Sequence, residues 1–239
     1  MLVLEINLVL MLTENKYLIM KKITLAVLLL TSFSLTTLAQ KKYFEYGIHG
    51  GVNLSSGRSD AFNNAGILTG LNVGLDVRYK FSEHMGLKLM PQFDQNGWAF
   101  RSLTFEGNPP GGPLQKADAL VRLAYLNLPI MADYTFGGKT TFNVGAGFFG
   151  GLLLEELLVI KPDKASNSTL VQGSTSTENY KKFNYGLSLY AGARFPLNDR
   201  SKLHVGLLNN LGLANINKTG EKISTNAMSA ILGLVVQFK

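Results

Sequence analysis

Residues 70–81 read GLNVGLDVRYKF, with an apolar side chain at every second position: Leu71, Val73, Leu75, Val77, Tyr79 and Phe81. Gly70, Asn72, Gly74, Asp76, Arg78 and Lys80 lie between them. A period of two describes a β-strand with one apolar and one polar face. The fold turns on which of those faces meets the surroundings.

Working outward, seven further segments repeat the pattern: Tyr43–Leu54, Met85–Phe93, Tyr125–Phe136, Thr141–Phe149, Phe183–Phe195, Leu203–Leu213 and Met228–Phe238. Nothing after residue 43 has the length and period of a helix. The connections alternate in length, which the strand period does not require. Ser82-Glu83-His84, Gly137-Gly138-Lys139 and Pro196–Arg200 are short, whereas Ser55–Ile67, Asp94–Ala124, Gly150–Lys182 and Ala214–Ala227 are long and rich in Gly, Pro, Asn, Ser and Thr. In an up-and-down meander, alternate connections fall at opposite ends. One rim is therefore tight and the other elaborate. This predicts an all-β, eight-stranded antiparallel transmembrane barrel with short periplasmic turns and long extracellular loops.

The soluble alternative is an eight-stranded barrel with its apolar face inward around a ligand. Three observations count against it. No Asp, Glu, Lys, Arg or His falls on the apolar parity of the eight segments. Aromatic residues of that parity, Phe44, Tyr46, Tyr79, Phe81, Tyr134, Phe136, Phe142, Phe195 and Phe238, gather at the short-turn rim, as a membrane-interface girdle would. The polar parity is filled with Gly and Asn, small residues that suit a crowded interior rather than a solvated sheet.

Bulk composition agrees. The chain has 239 residues, enough for one barrel domain, and only 16% of them are charged against about 25% in typical soluble domains. There is no Cys, which removes disulfides, thiolate chemistry and a lipidated N-terminal anchor. The net charge of +7 is scattered without a basic stripe, so no nucleic-acid partner is expected. At the N-terminus, MKKITLAVLLLTSFSLTTLAQ carries a basic pair, an apolar run and Thr37-Leu38-Ala39. Residues 20–39 read as a signal peptide cleaved after Ala39, residues 1–19 as an upstream extension, and residues 40–239 as the barrel domain. The expected location is the outer membrane.

An eight-stranded barrel is just wide enough for side chains to fill it. Glu45, Asp76, Arg78, Lys80, Lys88, Asp133, Arg194, Lys202 and His204 then point inward. Charges of both signs in that space must pair or stay hydrated. Asp76, Arg78, Lys88, Asp133, Arg194 and His204 are the expected polar network, with a narrow channel lined by Arg78, Lys88, Asp133 and Arg194 as the alternative.

Two motifs, GIHGGVNL at Gly47–Leu54 and YLNLPI at Tyr125–Ile130, resemble the PorT-like small outer-membrane barrels of Bacteroidetes. Gly233, Val236 and Phe238 resemble the closing assembly signal of such barrels, although Lys239 follows the aromatic residue. The resemblance implies the barrel, the compartment and passage through the barrel-assembly machinery. Some members of that family are linked to gliding and secretion. It implies no catalytic residue.

Chemistry is sparse. Lipid A-editing barrels use a His with Ser and an acid near the outer rim, and none of His49, His84 and His204 has that setting in the sequence. No metal or cofactor is expected, and Glu155-Glu156 reads as a solvated edge rather than a cation site. Asn167-Ser168-Thr169 matches a glycosylation sequon, and the Gly-rich GAGFFGG at residues 145–151 lacks the helix of a phosphate loop. The expected role is that of a non-enzymatic integral outer-membrane protein, structural or binding an envelope or extracellular protein partner through its long loops. Its other neighbour is membrane lipid.

Overall fold

The computed structural model describes residues 43–59, 65–107, 112–162, 171–175, 179–218 and 220–238. The expected signal peptide and the Asn167-Ser168-Thr169 sequon lie outside them. Ten strands are formed: β1 Tyr43–Ser59, β2 Gly66–Lys80, β3 Met85–Leu89, β4 Gln92–Gly107, β5 Gly112–Gly137, β6 Thr141–Pro162, β7 Val171–Thr175, β8 Phe183–Pro196, β9 Ser201–Gly212 and β10 Ile223–Phe238. All pairings between them are antiparallel.

The strands close into a ring of eight staves. β1 pairs with β2 on one side and with β10 on the other, from Phe44 opposite Phe238 to Ser59 opposite Ile223. β3 and β4 both pair with β2 and with β5, so together they make one stave. The expected strand Met85–Phe93 is therefore interrupted at Met90-Pro91, where proline offers no amide hydrogen to the ladder. The ladder is rescued on both sides: Leu75 donates to the Pro91 carbonyl at 2.9 Å and Met90 donates to the Pro129 carbonyl at 3.0 Å. β7 pairs with the outer end of β6.

The short rim is built by local turn chemistry. Ser82 Oγ accepts from the Met85 amide at 2.8 Å, Gly137 adopts φ of 103°, and Asn198 Oδ1 accepts from the amides of Arg200 and Ser201 at 3.0 and 2.7 Å. The long rim differs from the sequence expectation. Much of Asp94–Ala124 and Gly150–Lys182 is strand, because β4, β5 and β6 run on past the barrel wall and β7 adds to them. The elaboration on that rim is a rising sheet as well as loops.

Burial is inverted relative to a soluble protein. Ile48 and Leu71 are each 61% exposed, Phe148 70% and Phe183 73%, whereas Lys88 and His204 are fully buried. The apolar parity thus faces out, as lipid requires, and the charges face the lumen. Along β5 the outward residues Leu126, Leu128, Ile130, Tyr134 and Phe136 are exposed and apolar. Ten residue steps at about 3.3 Å, tilted by about 40°, give a band about 25 Å tall, the thickness of an outer membrane's apolar layer.

Above Leu126 the chemistry of β5 changes sides while the geometric alternation continues. Tyr125, Leu123 and Val121 are buried inward, and Arg122 is exposed outward. Inward residues just below, Asn127, Asp133 and Thr135, are polar. On β6 the same level carries a bulge: the register skips Leu154 between Leu153 and Glu155. Above this level β5 turns Tyr125, Leu123 and Val121 inward and Arg122 outward, while the bulge brings Glu156 of β6 inward opposite Leu123.

Inward glycines let neighbouring strands and rings approach. A Cβ on Gly147 would lie 2.0 Å from the Ile130 carbonyl oxygen, and one on Gly192 would lie 2.0 Å from the Tyr190 hydroxyl.

Candidate functional site

Among the described residues, the barrel interior gathers a dense set of titratable groups. Inward parity puts them there, and the stagger between staves decides which of them meet. At the short-turn mouth, Glu45 on β1 receives three cations. Arg78 Nη1 lies 3.2 Å and Lys202 Nζ 3.7 Å from its carboxylate, and Arg194 Nη1 hydrogen-bonds to the same oxygen as Arg78. The other hand of Arg78 holds Asp133 and the Thr135 hydroxyl. Asn143 donates to Asp133 at 3.0 Å.

One step deeper, Asp76 on β2 collects Lys88 at 3.1 Å on one oxygen and His49 Nδ1 at 2.8 Å on the other. His204 Nδ1 stands 3.8 Å from that second oxygen, and its Nε2 is hydrogen-bonded to the Tyr190 hydroxyl. The Lys88 ammonium also lies 3.5 Å above the Tyr190 ring centre, a cation–π contact. Burying so many charges is tolerated because each carboxylate is paired, and removing one partner of such a pair costs about 3–5 kcal/mol.

Asp76, Arg78, Lys88, Asp133, Arg194 and His204 are all buried and lie within these two groups. Sequence reasoning missed His49 as a member, although it shares inward parity with Glu45 and Asn53. It also missed the Tyr190 hydroxyl and the partners of Asp94. Asp94, on the polar parity of this stave, sits in an amide layer: Gln92 and Asn127 donate to it at 2.7 and 2.6 Å, and Asn72 donates to its other oxygen. This carboxyl is thus held by neutral donors.

Apolar layers separate these polar ones. Met90, Met131, Tyr190, Leu208 and Ile231 form one buried cluster. A second, at the long rim, joins Trp98, Val121, Leu123, Tyr125, Leu153, Ala214, Ile216 and Ile223, with Tyr180 packed edge-on to Trp98 at 5.6 Å. The connection from β9 to β10 is pinned there because Asn215 Oδ1 accepts from the amides of Asn217 and Ile223, each at 3.1 Å, turning Ile216 inward. Outside the membrane band, burial and then the neighbouring Glu156 push the Tyr180 phenol up to about 12.

Glu155-Glu156 needs correction as a solvated edge. Glu155 is exposed, but the bulge at Leu154 turns Glu156 inward, where it is buried and accepts from Asn179 at 3.0 Å. Among the described residues no group of three or more His, Asp or Glu could hold a metal ion. The His49–Asp76 pair has the geometry of a general base with its orienting acid, yet it is buried beside Lys88 with no Ser hydroxyl among the described residues hydrogen-bonded to it. His84 is an exposed turn residue whose Nδ1 bonds the Thr135 carbonyl at 2.9 Å.

On the outside, the rings named from sequence line the short-turn rim. Phe44 lies 5.9 Å from Tyr46 and 5.0 Å from Tyr79, and Phe136 lies 6.2 Å from Tyr134 and 5.8 Å from Phe142. Phe81 and Phe195 occupy the same rim, and Phe238 joins it through its backbone pairing with Phe44.

Comparison with known proteins gives a family match over most of the chain. A model described as outer membrane protein beta-barrel domain matches residues 38–218. No curated protein sequence matches. Among solved structures, the outer membrane protein OprG of Pseudomonas aeruginosa is similar at 14% identity, with 82% of this chain and 97% of that chain covered and a TM-score of 0.46. Neisserial surface protein A is similar at 11% identity, with 81% and 97% covered and a TM-score of 0.41. The Yersinia pestis attachment invasion locus protein Ail, in complex with the heparin analogue sucrose octasulfate, is similar at 14% identity, with 82% and 99% covered and a TM-score of 0.39.

Proposed function

We propose a function from one premise: the chain belongs to the outer membrane protein beta-barrel domain family. It is an integral β-barrel of the outer membrane. Its role, in our reading, is that of a closed, non-enzymatic barrel that displays a binding wall at the cell surface. One observation carries this reading. Strand β5 has 26 residues, about twice what the apolar band uses, and its outer part pairs with β4 and β6 to extend the barrel past the Gly66 end of β2. Loops and projections on a rigid scaffold are where binding is concentrated. The partner class is an extracellular or envelope protein, and insertion would use the barrel-assembly machinery.

The interior supports the closed reading over the channel. Arg78, Lys88, Asp133 and Arg194 are tied into ion pairs, and the Met90, Met131, Leu208 and Ile231 layer crosses the lumen beyond them. Planar-bilayer recordings are expected to show no discrete conductance steps. The wall itself is tested by replacing residues 155–180 with a tight turn and mapping surface crosslinks in cells. Loss of partner crosslinks with a folded, heat-modifiable barrel is the expected result. Unchanged crosslinks overturn the assignment.

A further inference from the structure

We propose that the long rim along β8, β9, β10 and β1 is a docking surface for the phosphorylated glycolipid of the outer leaflet. Arg58, Lys181, Lys182 and Lys222 meet its phosphates, above an apolar shelf of Phe183, Tyr185 and Leu213 that meets its acyl chains. The backbone brings these cations together. Lys181 donates its amide to the Ile216 carbonyl at 2.7 Å, and Ile216 donates to the Ile223 carbonyl at 2.9 Å. Lys181, and Lys222 next to Ile223, are thereby held on the two sides of Ile216, about two strand spacings or 10 Å apart. On the far side of β10, Ser59 pairs with Ile223, and Arg58 reaches across β10 to the Gly212 carbonyl at 3.3 Å.

Charge on this arc is unbalanced. Arg58, Lys181, Lys182 and Lys222 are all exposed. Among the described residues none of the three lysines has an ion-pair partner, and Arg58 holds a neutral carbonyl. Lys218 beside them is already engaged, so the surplus rests on the other four. The connections at 179–182 and 213–222 expose one acid, Glu221. Four cations against one carboxylate attract an anionic surface, and at short range salt screens them little.

Height selects the anion. Phe183 is 73% exposed, Tyr185 61% and Leu213 46%, and Leu213 sits beside Tyr185 through an amide bond to its carbonyl at 2.9 Å. Twelve residue steps along β8 separate Phe195 at the short rim from Phe183, which is about 30 Å at the barrel tilt. Phe183 thus marks the outer edge of the 25 Å apolar band, where aromatic rings belong. Lys181 and Lys182 follow at once, and Arg58 stands four residues, about 10 Å, beyond Leu54 on β1. The cations lie in the headgroup layer of the outer leaflet.

One molecule needs both parts of this surface. A soluble sulfated or acidic polysaccharide would engage the cations and leave Phe183 and Tyr185 unused. A glycolipid that carries phosphates on its sugars and acyl chains below them covers the cations and the shelf together. The arc also lies on the staves that do not rise, away from the wall of β4 to β7 assigned to a protein partner.

The test uses the full chain folded in a non-ionic detergent. It is mixed with bisphosphorylated lipid A or with dephosphorylated lipid A of the same acyl composition, and retained lipid is counted by native mass spectrometry. Retention of the phosphorylated form is expected to be at least about tenfold the higher. Lys181→Gln, Lys182→Gln and Lys222→Gln together are expected to lower it at least about tenfold, and Phe183→Ala to lower it further. Lys139→Gln, exposed in a turn of the opposite rim, should leave it unchanged. If the triple variant fails to fold by heat-modifiable mobility, salt at about 1 M on the native chain decides instead, with only the phosphorylated lipid expected to be lost. Equal retention of the two lipids, or undiminished retention in the triple variant or at high salt, overturns the proposal. A last arm adds sucrose octasulfate: lipid A that stays bound supports the glycolipid, and full displacement with no effect of Phe183→Ala overturns it in favour of a soluble polyanion.

Discussion

Ile130→Arg probes the outward face where it matters most. Ile130 is 43% exposed on β5 and lies six residues from Phe136 at the short rim. Six steps of about 3.3 Å at a tilt of about 40° place it about 15 Å above that rim, close to the midplane of a 25 Å band. A basic residue there costs about 2–4 kcal/mol, whereas the same change near the interface costs about 0–1 kcal/mol. Tyr134→Arg, two residues from Phe136, supplies the interface control. Equilibrium urea unfolding in lipid vesicles, followed by heat-modifiable mobility, measures both. The reasoning requires the Ile130 variant to be the less stable by at least about 1 kcal/mol. Equal losses, or a larger loss at Tyr134, refute the assignment of that face to lipid.

Lys88→Met removes the ammonium from the buried Asp76 carboxylate and leaves it the His49 hydrogen bond, so a loss of up to about 3 kcal/mol is expected by urea unfolding, with much of it regained when Asp76→Asn is added. Trp98 is the single tryptophan and is 1% exposed inside the ring, so brominated acyl chains should leave its emission unquenched; strong quenching would place it on the lipid side. Tyr180, raised from about 10 to about 12 by burial and Glu156, stays neutral in the folded state while the unfolded chain ionises. Stability is therefore expected to fall as pH climbs from about 10 to about 12, and Tyr180→Phe should remove that portion of the slope. Ultraviolet tyrosinate titration of the folded protein and the variant checks the assignment.

The staves were legible because lipid forbids charge at alternate positions, and that prohibition writes a strong period of two into segments such as Leu71–Phe81. The short rim was legible for a related reason: its turns need Ser, Gly and Asn at particular places. The rising wall was not. Above Leu126 the strands stand in water, polar and apolar residues exchange faces, and the Gly, Ser and Thr of a solvated hairpin resemble a loop. Glu156 was misread because a single extra residue, Leu154, reverses parity without marking the sequence. For the lumen, parity names the inward residues but not their partners. Glu45 and Arg194 meet across 149 positions because of stave stagger, which local sequence does not encode. The same stagger brings His49 to Asp76, and the amides of Asn72 and Asn127 to Asp94, from different strands.

The change of sides on β5 makes that strand its own waterline. Below Leu126 its outward face is wholly apolar, and above Tyr125 it carries Arg122 and Asp118, so the boundary is written into the chain rather than chosen by the bilayer. Moving the changeover by one inward–outward pair would settle the whole cylinder about 5 Å lower or higher. Immersion depth, and with it how much of the wall stands clear of the lipopolysaccharide surface, is then set by a handful of side chains between Arg122 and Leu126.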